Sequence, residues 1–80
     1  MDASSPLHDP RPGDIVEAVV CDKVIVCLVT MIIHEDLQSI TFDMFKDGEL
    51  YPSNRATLQS WQMWCEIHGA EVRHRANEQI

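Results

Sequence analysis

Eighty residues are enough for one domain with a small core and too few for two. The formal net charge of −7 comes entirely from residues 1–50, which carry ten acidic and three basic residues, whereas residues 51–80 carry three of each. An acidic surface repels phosphate backbones, so the charge argues against direct binding of DNA or RNA and favours a protein partner with a basic surface.

Cysteine usage and hydropathy indicate where the chain resides. The three cysteines lack the close spacing of a disulfide framework, and reduced thiols are typical of intracellular proteins. The N-terminus has neither the basic stretch nor the apolar stretch of a signal peptide. The longest runs without a charged residue or a histidine are ten residues, half of the roughly 20 that a membrane-spanning helix needs. We therefore expect a cytoplasmic protein.

Proline and polar residues dominate the first thirteen positions, where Pro6, Pro10 and Pro12 lie among Ser, Asp and His. Such a composition cannot bury enough apolar surface to order itself, so residues 1–13 are predicted to be an extended or disordered arm. A single α+β domain is then expected over residues 14–75, followed by a frayed tail at 76–80.

The longest apolar segment that is rich in β-branched residues spans residues 24–33. Branched side chains pack well on a pleated surface, so this segment is predicted to be a central strand covered on both faces. Residues 15–20 alternate loosely and predict a partner strand, with a loose type I turn at 21–23. The alternative is one long helix over 14–37, because Asp14 and Glu17 fit a capping box.

Residues 38–45 alternate between apolar and polar positions and predict a strand with one wet face. A three-residue loop at 46–48 then places Gly48 at its left-handed position. Residues 49–51 can pair back briefly before Pro52 ends the strand.

A helix is predicted over residues 55–68, with Ser53 or Asn54 as its N-cap and Gly69 just beyond its C-terminus. Its apolar residues recur at helical spacing along one face, and residues 70–75 alternate again as a last strand. The predicted apolar arc consists of Leu58, Trp61, Trp64, Cys65 and His68.

These elements predict a small antiparallel sheet of four to five strands with one amphipathic helix, in the order β-β-β-β-α-β. An SH3-like barrel is the alternative, because the segment at 12–16, Pro-Gly-Asp-Ile-Val, resembles the entry to a first barrel strand.

Motifs for enzymatic chemistry are missing from the sequence, which has no glycine-rich phosphate loop and no nucleophile elbow. Cys65 and His68 are the best metal ligands, because a spacing of three places both on one helix face, where Cys27 or His74 could complete a set. The same pair could act as a thiolate and its base. Packing of Cys65 in the core is the preferred interpretation, so we predict no cofactor, no metal and no enzymatic activity.

Function is predicted from the acidic segments and from the tryptophans on the helix. Tryptophan is enriched in interface hot spots, and the apolar arc around Trp64 is wider than one small sheet should cover. We expect a binding protein that docks on the basic surface of a larger protein, which could itself hold nucleic acid. The predicted partner-binding residues are Glu35, Asp36, Asp43, Asp47, Glu49 and Trp64.

In size, acidity and lack of catalytic motifs, the chain resembles the small inhibitors that phages encode against bacterial defences, anti-CRISPR proteins among them. This likeness is one of class and aligns no motif, so it implies a mechanism of inhibition and assigns no residue. Two alternatives remain: a structural protein that forms homo-oligomers through a sheet edge or the helix face, and a small metal-binding protein that uses Cys65 and His68.

Overall fold

The structure, a computed structural model, describes residues 5–76. Five strands form one antiparallel sheet with the spatial order β4-β3-β2-β1-β5, and a single helix precedes the last strand. This arrangement confirms the predicted α+β fold and its element order. The elements are β1 (Ile15–Val20), β2 (Lys23–Ile33), β3 (Ser39–Lys46), β4 (Glu49–Thr57), α1 (Leu58–Ile67) and β5 (Glu71–His74).

The sheet is open. Strands β4 and β5 lie at its two edges and do not pair with each other in the described part of the chain, so the barrel considered as an alternative is not formed. The long helix considered for residues 14–37 is wrong, since that segment contains β1 and β2. Within the described residues, no helix has the length and apolar character required to cross a membrane.

Two-residue loops close the β1–β2 hairpin and the β3–β4 hairpin. Cys21 and Asp22 have φ of 53° and 65°, and Asp47 and Gly48 have φ of 55° and 87°. The strand residues on either side of each loop pair directly with each other. Positive φ at both loop positions defines a type I′ turn, whose twist matches that of the strands. The predicted type I turn and three-residue loop are therefore both wrong in detail.

Strand β4 does not end at Pro52, as the sequence predicted, but continues to Thr57. Pro52 and Ser53 together face the single residue Asp43 on β3, which forms a bulge with Ser53 at φ 61°. The Ser53 N–H donates to Asp43 Oδ1 at 3.1 Å. Proline is tolerated because β4 is an edge strand and the bulge removes the need for a ladder hydrogen bond.

Because β4 is long, helix α1 begins at Leu58 rather than at residue 55. Its N-cap is Thr57, whose Oγ1 accepts from the Ser60 N–H at 3.1 Å, and neither Ser53 nor Asn54 serves as predicted. Gly69, at φ 60°, ends the helix as predicted. The Ala70 N–H donates to the Cys65 carbonyl in the Schellman pattern.

The core lies between α1 and one face of the sheet. On β2, the buried side chains alternate with exposed or half-buried ones, so this strand is covered on one face only and the prediction of two covered faces is wrong. A single short helix cannot cover both sides of a five-stranded sheet. The buried apolar core consists of Val16, Ala18, Ile25, Cys27, Val29, Ile40, Trp61, Cys65 and Ala70.

Asp14 is fully buried and joins three segments of the chain. Its Oδ2 accepts from the Arg11 N–H at 2.7 Å, its Oδ1 accepts from the Ala76 N–H at 2.6 Å, and Arg75 Nη1 lies 3.8 Å from Oδ2. Its backbone carbonyl accepts from the Val29 N–H on β2. The carboxylate therefore holds the segment before β1 and the segment after β5 against the middle of the sheet.

Residues 5–13 form turns and contact α1, a more ordered arrangement than the predicted extended or disordered arm. Leu7 packs against the core, and the Pro6 carbonyl accepts a hydrogen bond from Trp61 Nε1 at 2.9 Å. The remaining predictions for the arm and the tail fall on residues 1–4 and 77–80, outside the described residues.

Candidate functional site

The face of the sheet opposite α1 carries a group of apolar side chains, and no helix within residues 5–76 covers it. Cross-strand pairing brings Val19 opposite Val24 and places Phe45 between Val26 and Leu50. Val19 is 60% exposed and Leu50 is 50% exposed. We call this surface the open face and define it by Val19, Val24, Val26, Leu28, Phe45 and Leu50.

The open face arises from the uninterrupted apolar sequence of β2. Ile25, Cys27 and Val29 point into the core, so the alternate positions Val24 and Val26 must point away from it. An ordinary half-buried strand would carry polar residues there. Contiguous apolar surface of this kind marks interaction sites in soluble proteins. The lack of alternation in β2 is the sequence signal of this surface, but the same pattern also predicts a strand covered on both faces.

Acidic residues lie beside the apolar residues of the open face. Asp43 pairs with Leu28, and Glu17 pairs with Val26 and forms an ion pair with Arg73. At one end of the sheet the two hairpin turns lie together, since the Asp47 N–H donates to the Val24 carbonyl at 3.0 Å. These turns bring together Asp22, Asp47 and Glu49, along with Lys23, which lies 3.9 Å from Asp47.

The acidic residues predicted to form one docking surface are divided between the two ends of β3. Asp47 and Glu49 lie at one end, and Glu35 and Asp36 lie in the β2–β3 turn at the other. An eight-residue strand spans roughly 23 Å, so the two groups cannot act as one cluster. Asp43, midway, uses Oδ1 to accept from the Ser53 N–H, which supports the bulge.

The β2–β3 turn borders a wide, shallow cleft of about 840 Å³. Arg55 lies beside it, with Nη2 at 3.5 Å from Glu35 Oε1 and at 3.2 Å from Ser39 Oγ. Both charged side chains of this pair are more than half exposed, so the pair contributes little to stability. The cleft is lined by His34, Glu35, Asp36, Leu37, Ser39, Arg55, Ala56 and Thr57.

The two tryptophans have different environments. Trp61 is buried, contacts Phe42 edge to face with ring centroids 5.4 Å apart, and belongs to the core. Trp64 is half-buried, with its ring centroid 5.2 Å from that of His68. Because α1 covers the other side of the sheet, Trp64 does not share a surface with the open face or with its acidic residues.

Cys27 and Cys65 face each other across the core, between β2 and α1. Burial, together with the neighbouring Cys65 thiol, raises the pKa of Cys27 to about 12, and burial raises the pKa of Cys65 to about 11. Both thiols are therefore protonated at neutral pH and pack as small apolar groups. His68 is the C-cap of α1, and its ring contacts that of Trp64 at an interplanar angle of 56°. Residues 5–76 contain no cluster of three or more His, Cys, Asp or Glu side chains placed to hold a metal ion.

Comparison of the sequence with models of known protein families found no matching family, and comparisons with curated proteins and with solved structures found no match.

Proposed function

We propose that this protein is a non-enzymatic binding protein that docks through its open face on a larger protein whose contact surface is apolar at its centre and basic at its edge. The observation that supports the proposal most directly is the uncovered apolar sheet face bordered by acidic side chains. A partner would bury Val19, Val24, Phe45 and Leu50, which water now contacts.

The distribution of charge supports a basic partner. The whole net charge of −7 lies in residues 1–50, the segment that contains β1, β2, β3 and the start of β4. These strands supply every residue of the open face. Complementary charge accelerates association and fixes orientation, and the effect is screened by salt over about 10 Å at 0.1 M ionic strength. Among binding proteins of this kind, the acidic charge favours an inhibitor that occupies a basic groove normally used for nucleic acid.

Affinity capture with matched variants tests the proposal. The bait protein is exposed to lysate at low and high salt, and captured proteins are identified by mass spectrometry. Val24→Thr removes apolar surface from the open face and retains a β-branched residue. Val72→Thr is its control, because Val72 is equally exposed, at 43% against 42%, but pairs with the buried Val16 and so lies on the helix side of the sheet.

Charge is tested in the same assay with Glu17→Gln, because Glu17 pairs with Val26 on the open face, and Glu66→Gln on the exposed side of α1 serves as the control with an identical change in net charge. We expect a basic protein that is captured by the wild type and by both controls but weakly by Val24→Thr and Glu17→Gln, with binding that weakens in high salt. A captured protein that binds all four variants equally would refute the assignment of the open face.

A second copy of the chain is the other occupant that an apolar face would accept. Two copies in contact would bring two chains of net charge −7 together, so any such dimer should strengthen with salt, the opposite of the dependence expected for a basic partner. Sedimentation at micromolar concentration separates the two cases: a dimer disrupted by Val24→Thr would replace the proposed function with self-association, and a monomer would support the proposal.

A further inference from the structure

A second apolar site lies on the helix side of the sheet, away from the open face. It is a cavity of about 190 Å³ between α1, β2, β3 and the end of β4. The buried side chains of Cys27 and Trp61 form its floor, and the half-buried Phe42, Met44 and Trp64 form its walls. The exposed Ser60 lies at its rim, so the cavity opens to solvent at the first turn of α1.

The lining of this cavity selects for an uncharged occupant. The indole N–H of Trp61 already donates to the Pro6 carbonyl at 2.9 Å, so Trp61 offers no free hydrogen-bond donor to a ligand. The Cys27 thiol is protonated at neutral pH and behaves as an apolar group. Ser60 Oγ, which accepts from Thr57 Oγ1 at 3.0 Å, is the polar side-chain atom at the rim. None of the lining residues is charged, so a charged ligand would lose its hydration in this cavity without gaining an oppositely charged partner.

The size and shape of the cavity limit the occupant further. An apolar protein cavity of about 150 Å³ accommodates benzene, so about 190 Å³ accommodates one aromatic ring with a short substituent. Phe42 and Trp61 already meet edge to face at 63°, and a ring inserted beside them would extend this aromatic cluster with Trp64 as its opposite wall. We infer that this cavity is a binding site for a small uncharged aromatic molecule.

Titration with toluene tests the inference. Binding is followed by the nuclear magnetic resonance shifts of the Trp61 and Trp64 indole N–H groups, and benzoate, which has the same ring with a negative charge, is the control ligand. We expect saturable shifts with toluene at a Kd of about 1 mM or tighter, and none with benzoate at the same concentration.

Two variants locate the ligand. Ser60→Leu fills the rim from the helix, and we expect it to weaken toluene binding at least tenfold. Gln59→Leu makes the same kind of change at a neighbouring exposed position that does not line the cavity, and its affinity should equal that of the wild type. Should Ser60→Leu fail to fold, Met44→Phe narrows the same cavity from β3 and takes its place.

The inference is overturned if toluene produces no saturable shift, or if Ser60→Leu and Gln59→Leu bind it equally. It is independent of the proposed function, because the open face lies on the other side of the sheet. Val24→Thr should leave toluene binding unchanged, and filling the cavity should leave capture of a basic partner unchanged.

Discussion

Replacement of Asp14 with alanine is the sharpest test of how this small sheet is held together. Asp14 is fully buried, and its carboxylate accepts backbone hydrogen bonds from Arg11 before β1 and from Ala76 after β5. Arg75 Nη1 lies 3.8 Å from the same carboxylate, and both terminal nitrogens of this guanidinium are buried without a hydrogen-bond partner in the structure. The variant therefore leaves two half-buried backbone donors and the buried terminal nitrogens of Arg75 without their acceptor.

The size of the effect follows from these contacts. Each hydrogen bond to a charged group contributes about 1.5–3 kcal/mol, and breaking a buried ion pair by removing one partner costs about 3–5 kcal/mol. Because these terms share one carboxylate and overlap, we expect Asp14→Ala to lower the free energy of unfolding by about 3–5 kcal/mol in total. A domain of this length has about 4–12 kcal/mol of stability, so the variant should be close to unfolding at 25 °C.

Urea unfolding followed by circular dichroism measures this loss, and hydrogen exchange at the Arg11 and Ala76 amides shows whether it is local. Asp9→Ala is the control, since Asp9 lies in the same segment, is exposed and interacts with the Arg11 side chain at 3.5 Å. It should change stability by less than about 0.5 kcal/mol. If Asp14→Ala is also within about 1 kcal/mol of the wild type, Asp14 does not hold the two segments and the reasoning fails.

Three further predictions concern the hairpin, the thiols and the helix. The double variant Cys21→Asn, Asp22→Gly should raise the free energy of unfolding by about 1 kcal/mol, because Asn-Gly suits the positive φ of both turn positions. Cys27 and Cys65 have folded pKa values above the 9.0 of an ordinary thiol. Stability should therefore be constant up to about pH 9 and fall between pH 9 and about 12, as the unfolded thiols ionise first. Trp61→Phe removes a buried indole N–H that donates to a backbone carbonyl, and it should destabilise the domain by about 1–3 kcal/mol.

Each of these predictions has its own control. The turn variant should lose its gain in stability when proline replaces Lys23, since β2 then lacks a ladder donor at its first residue. The alkaline decrease should be smaller in Cys65→Ala, which has one buried thiol fewer, and an equal decrease would assign it to other groups. For Trp61→Phe, unchanged stability would show that the hydrogen bond to the Pro6 carbonyl contributes nothing.

The sequence predicted every strand and the helix because their patterns are local. Residues 38–45 alternate with the period of a strand, and Gly69 carries the backbone conformation that ends a helix with a Schellman motif. The predictions are wrong where the conformation of a segment depends on the strand that pairs with it. Pro52 ends a central strand but not an edge strand with a bulge, and only the pairing with Asp43 distinguishes the two.

The candidate site was less predictable than the fold. An uninterrupted apolar strand has the same sequence whether its second face is covered by protein or by water, and only the number of covering elements distinguishes the two cases. Val24 and Val26 were therefore assigned to the interior. Glu35 and Glu49 are fourteen positions apart in the sequence, but their separation in space depends on β3 lying extended between them.

Because β1 pairs with β5, the sheet cannot be completed until the last strand of the chain has been synthesised. Glu17 pairs with Glu71, and the Asp14 carboxylate accepts from Ala76, an amide 62 positions later. Strands β1 to β3 emerge first and pair with their neighbours, but β1 keeps one unpaired edge until residues 71–76 leave the exit tunnel. Until then the nascent chain exposes both an apolar face and a strand edge, to which another chain can pair. The acidic charge of residues 1–50 is present throughout that period and keeps neighbouring nascent chains apart.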